Sequence, residues 1–106
     1  MNADFLLVLC TCPDHRAASV VATALLEKRL AACVNQVPGV RSLFRWKGRI
    51  EKDDEVLLLI KTTVDRYADL EETILKLHPY ELPEIIGVPL TIGSEAYFDW
   101  IRQSTQ

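Results

Sequence analysis

An α+β fold is what this sequence predicts, and three observations predict it. Two apolar runs, "FLLVLC" and "VLLLI", lie far apart in the chain and have the length of buried strands. Two segments carry apolar residues at spacings of three and four, the mark of amphipathic helices, and each follows such a strand. Between those helices, two long extended stretches meet at Lys47-Gly48 as the arms of a hairpin do.

Residues 4–12, "DFLLVLCTC", read as a strand that is apolar on both faces. Pro13 and Asp14 end it, with Asp14 as the N-cap of a helix. Over residues 15–30 a polar row of Arg16, Ser19, Thr23 and Glu27 lies opposite a stripe of Ala17, Val20, Val21, Ala24 and Leu25, expected to face the core. Residues 32–46, "ACVNQVPGVRSLFRW", form a long strand interrupted by Pro38-Gly39. Proline has no N–H for a sheet ladder, so this strand belongs at an edge or carries a bulge. Residues 49–63, "RIEKDDEVLLLIKTT", return antiparallel and are apolar on both faces from Val56 to Ile60. Asp65 is expected to cap the next helix, with Tyr67, Leu70, Ile74 and Leu77 on one side. It stops at His78-Pro79, because a residue before proline avoids the helical region. "EIIGVPLTI", residues 84–92, is a final strand, and Ser94 caps a short last helix that turns Tyr97 and Ile101 inward.

The order is β-α-β-β-α-β-α, within a single domain spanning 1–106. Two right-handed crossovers onto an antiparallel sheet give a ferredoxin-like split βαβ sandwich, here with a long β2-β3 hairpin. Both crossover helices then lie on one face of the sheet. The strands that are apolar on both sides leave the other face in need of a cover. No further element is seen to supply it, so association with other copies is the simplest answer.

Composition narrows the partners. Nearly half of the 106 residues are apolar, a quarter are charged, and the net charge is −3. That balance argues against nucleic acid, which needs clustered Lys and Arg. The basic stretch from Arg41 to Lys52 is answered at once by Asp53, Asp54 and Glu55, as in a solvated hairpin tip. No apolar run approaches the length of a membrane span. Three cysteines and a start, "MNADF", without the pattern of a secretory signal predict free thiols in a reducing compartment, the cytoplasm. No C-x-x-C pair, nucleotide-binding glycine loop or Ser/His/Asp arrangement stands out, and two histidines are few for acid-base work; the expectation is a protein that is not an enzyme, with no organic cofactor.

The segments "LCTCPD", "KRLAACVN", "VPGVRSLFRWKGRIE", "LLIKTT" and "HPYELPEI" follow one another over almost the full length. In them the chain resembles the CutA divalent-cation-tolerance family. A V-P-G then W-x-G-x-I-E hairpin, joined to H-P-Y-x-x-P-E, is not a generic pattern of this fold class. The resemblance implies a homotrimer whose long hairpins pair across subunits, similar in architecture to the trimeric nitrogen-signalling proteins. It also implies binding of copper or another divalent metal ion in metal homeostasis.

The stretch "LCTCPDHR", residues 9–16, holds the first candidates. Alternation puts Cys10 and Cys12 on one strand face with Leu6 and Val8. Two thiolates so placed could share a soft ion such as Cu(I). A free cysteine equally packs as a small hydrophobe, and both readings stand. The resemblance places the family's proposed copper cysteine at Cys10, while Cys12 stands where relatives carry a small residue. His15 falls in the first turn of a helix, where the dipole disfavours a cation, and is expected in solvent. Cys33 is expected in the core.

His78 has two readings as well: a helix-end histidine satisfying carbonyls, or a ligand. The resemblance implies the second, since the family's site pairs the cysteine with His-His before Pro-Tyr. Here Leu77 stands for the first of that pair. One nitrogen is lost, and Cys12 is the donor that could replace it. Trp46, Lys61, Tyr80 and Glu84 form a second set, either a Lys61–Glu84 pair closing a cleft between subunits or the lining of a small-ligand pocket there. The leading function is metal binding; the alternative is a non-catalytic trimeric signalling or scaffold module that binds a small ligand or protein at its clefts.

Overall fold

A strand that is apolar on both faces belongs inside a sheet, and the computed structural model, which describes residues 4–106, puts β1 (Phe5–Cys12) there. After it come α1 (His15–Glu27), β2 (Cys33–Trp46) and β3 (Arg49–Thr63). A 3-10 turn at Val64–Arg66 leads to α2 (Tyr67–Leu77), β4 (Ile86–Leu90) and α3 (Glu95–Ser104). The sheet order is β2-β3-β1-β4 with every neighbouring pair antiparallel, the expected split βαβ arrangement.

Cross-strand register sorts the side chains. Cys10 sits opposite Leu58 and Cys12 opposite Val56, so these four share a face with Val8 and Ile60. That face packs under Ala18, Val21 and Leu25 of α1 and Leu70 and Ile74 of α2, forming the core. The other face presents Leu7, Leu9, Leu57 and Leu59, half-buried, beside Ile86 and Val88, which remain exposed. The chain covers one end of it after all. Phe98 of α3 stacks on Phe5 with ring centroids 4.5 Å apart, and Ile101 is fully buried.

Asp14 caps α1 as expected, its carboxylate accepting the Ala17 N–H at 2.8 Å. The buried stripe differs: Ala18, Val21, Ala22 and Leu25 face inward, while Val20 is 49 % exposed. Turning two alanines to the sheet lets the helix lie close to it, which the bulkier Val20 would prevent. The helix also ends three residues short of Leu30. Arg29 adopts φ 58, and the N–H groups of Arg29 and Leu30 return to the carbonyls of Leu26 and Leu25. This is a Schellman closure without its usual glycine.

The hairpin follows its sequence signals. Lys47 and Gly48 both take positive φ, the geometry of a tight two-residue turn, and the ladder shifts register between Val37 and Val40 at Pro38-Gly39. β2 is one of the two edge strands. Asp65, expected as a cap, lies inside the 3-10 turn, and α2 begins at Tyr67 without a side-chain cap. β4 is shorter than residues 84–92: it runs from Ile86 to Leu90, paired with Leu9 to Phe5 of β1. Tyr97 does not turn inward; it is 42 % exposed and packs beneath the Lys61 ammonium, 5.7 Å from its ring centre.

Candidate metal centre

Strand alternation brings Cys10 and Cys12 to the core face, and both are 0 % exposed. The third group arrives from the end of α2. His78 takes an extended backbone (ψ 134), as a residue before proline prefers, and its ring reaches β1 instead of the helix carbonyls. Its Nε2 lies 2.7 Å from the Thr11 carbonyl and 3.7 Å from Cys12 Sγ. The ligating atoms of Cys10, Cys12 and His78 all fall within 4.8 Å of one another.

The hydrogen bonds assign the state of the imidazole. The Tyr80 backbone N–H can only donate, and it points at Nδ1 from 3.1 Å. Nδ1 is therefore the acceptor, and Nε2 carries the proton it donates to Thr11. The ring is neutral with both nitrogens satisfied. Tyr80 also lays its ring 4.7 Å from the imidazole and donates its hydroxyl to Glu55 Oε2 at 2.7 Å. Burial, with that carboxylate beside it, pushes the Tyr80 phenol up.

Hydrogen bonding to Cys12, then burial, pushes the Cys10 thiol far up. The same interaction lowers the Cys12 thiol against the cost of burial. Two sulfurs and one imidazole nitrogen, without a carboxylate among them, form a soft donor set of the kind that Cu(I) or Zn(II) takes. Three such donors around one ion stand about 4 Å apart, so they would need to draw together only slightly.

Of the remaining candidates, Tyr80 borders the centre through His78, and the others are dispersed. His15 is exposed at the start of α1. Cys33 is only half-buried and faces away from the core; it sits opposite Lys61 on the far side of the sheet, because its neighbour Val34 takes the inward position. Trp46 is at the hairpin tip, with Lys47 Nζ 5.8 Å from its ring centre. Lys61 lies over Tyr97, Tyr80 binds Glu55, and Glu84 is exposed in the irregular 78–85 stretch. One chain therefore does not gather Trp46, Lys61, Tyr80 and Glu84, and among the described residues no ion pair joins Lys61 to Glu84.

Glu55 and the Thr11 carbonyl are the participants that sequence reasoning missed. Glu55 closes the acidic run "DDE", which reads as solvated, yet it is buried under Tyr80. A backbone carbonyl leaves no mark in the sequence at all.

Residues 6–104 match the family model described as CutA1 divalent ion tolerance protein. A divalent-cation tolerance protein CutA from Thermus thermophilus is 48 % identical over 99 residues, which are 93 % of this chain and 96 % of that protein. The human protein CutA is 45 % identical over 96 residues, 91 % of this chain but 54 % of its own length, so the chain spans about half of that relative. A solved Cut A1 structure from Thermus thermophilus superposes with a TM-score of 0.94 at 46 % identity, covering 96 % of this chain and 99 % of that one. With the split βαβ sheet, the bulged hairpin and the H-P-Y segment all in place, these matches identify the chain as a member of the CutA1 divalent ion tolerance family.

Proposed function

We propose that this chain serves divalent-cation tolerance as a non-catalytic homotrimer holding copper, as Cu(I), between Cys10, Cys12 and His78. The observation that carries the reading is the convergence of three buried donors within 4.8 Å, drawn from two elements. Cys12 supplies the donor that Leu77 removes from the family's His-His pair. Soft thiolates favour Cu(I) over harder ions. The apolar sheet face around Leu57, Leu59, Ile86 and Val88, together with the protruding hairpin, supports self-association. Three free cysteines accord with a reducing compartment such as the cytoplasm.

Anaerobic equilibrium titration is the test. One Cu(I) per chain is expected, and Cys12→Ser should weaken binding by about tenfold or more, the least that losing a direct ligand costs. Unchanged affinity would remove Cys12 from the site. A second reading, a signalling or scaffold trimer with a ligand at its clefts, draws support from Lys61, half-buried beside Tyr97 with no carboxylate partner among the described residues. Protein purified without an affinity tag, found metal-free and insensitive in melting temperature to added Cu(I), would favour that second reading.

A further inference from the structure

The imidazole of His78 is held between two partners of opposite kind. The Tyr80 N–H donates to Nδ1 at 3.1 Å, and Nε2–H donates to the Thr11 carbonyl at 2.7 Å. Ligation by His78 ends this arrangement whichever nitrogen is used. At Nε2, which faces Cys12, ligation puts the proton of the neutral ring on Nδ1, donor against donor with the Tyr80 N–H. At Nδ1, ligation takes the lone pair that the Tyr80 N–H is using. Either way the Tyr80 backbone must withdraw.

Tyr80 is not free to do so. Its hydroxyl is bound to Glu55 Oε2 at 2.7 Å, its ring lies against His78, and Glu55 is itself buried on β3. Residues 78–85 form neither helix nor strand, whereas the thiols sit on β1, inside the sheet. This segment is therefore what can shift while the core stays packed.

We propose that the Tyr80–Glu55 hydrogen bond is a latch, closed when the site is empty and released when it is loaded, so that Tyr80 is a positioning residue setting the affinity of Cys10, Cys12 and His78 for a soft monovalent cation. The proposal rests on the reading that those three bind metal. Loading transfers no electron: Cu(I) replaces the thiol protons of Cys10 and Cys12, which leave to solvent, and the ring proton moves from Nε2 to Nδ1 when Nε2 is the ligand. A contact present only in the empty state opposes loading by its full strength. Its release also frees Glu55, which pairs with Val40 beside the hairpin bulge, so occupancy has a physical route to the protruding arm.

Competition for Cu(I) against a chromogenic chelator, without oxygen and in a Cys33→Ser background, reads the affinity. Tyr80→Phe keeps the ring against His78 and deletes the latch. It should bind Cu(I) roughly tenfold to hundredfold more tightly, the range for losing one hydrogen bond to a carboxylate. Glu55→Gln keeps an acceptor oxygen without the charge and should tighten binding by less. Empty Tyr80→Phe should melt below the empty parent, while the two loaded forms melt alike. A merely structural contact would act with the opposite sign, since its loss would weaken the site. Unchanged or weaker affinity in both variants overturns the latch while leaving the metal reading intact. Absence of Cu(I) uptake by the unmutated chain overturns the metal reading and the latch with it. Should Tyr80→Phe not fold, Glu55→Gln tests the same sign alone.

Discussion

His78 shows how much a single residue's role depends on a distant partner. Beside Pro79, at the end of an amphipathic helix, it has the sequence context of a group that satisfies helix carbonyls. Its ring instead bonds the Thr11 carbonyl, 67 positions away, because the extended backbone before proline aims it off the helix axis. His78→Ala should leave the Thr11 carbonyl and the Tyr80 N–H without their partner. We expect a loss of about 1–3 kcal/mol in stability, the cost of unsatisfied buried polar groups. Chemical denaturation of the metal-free protein measures it, and an unshifted midpoint would mean that water replaces the ring. The two cysteines were more legible. Period-two alternation alone set Cys10 and Cys12 on a common face, and that face is the buried one.

Elements were readable where local chemistry settles them. Pro38-Gly39 marks a bulge because proline cannot join the ladder and Gly39 adopts φ 76, a conformation costly for other residues. A Cβ at Gly39 meets nothing within 4 Å, so Gly39→Ala carries backbone strain only. Its expected cost is about 1–2 kcal/mol, read as a lower denaturation midpoint at unchanged slope. If the midpoint holds, the bulge can relax without left-handed geometry. Helix ends were less readable. The closure of α1 uses Arg29 where glycine is usual, and the 3-10 turn displaces the start of α2 past Asp65. Both places make contacts outside their helix: Arg29 Nε donates to the Gln106 carbonyl at 2.9 Å, and the Val64 N–H to the Asp4 carbonyl at 2.9 Å.

At the scale of the molecule, the question is what covers the second face of the sheet. α3 reaches Phe5 and leaves Ile86, Val88 and the apolar flank of the hairpin open, with Ile50 69 % exposed. If that hairpin pairs with neighbouring subunits, Trp46→Ala should lower the melting temperature or shift light scattering from trimer toward monomer. A variant that stays trimeric with an unchanged melting temperature would count against this role of the tip. From the sequence by itself came the order of elements, the two-residue turn, the bulge and the family, because turns, alternation and spacing act over a few residues and need no partner. Only the tertiary structure decided which helix face is buried, that Glu55 leaves the solvated run to bind Tyr80, and that His78 meets the thiols of β1. Those outcomes turn on which surfaces approach closely enough to exclude water, and that depends on the packing of residues far apart in the chain.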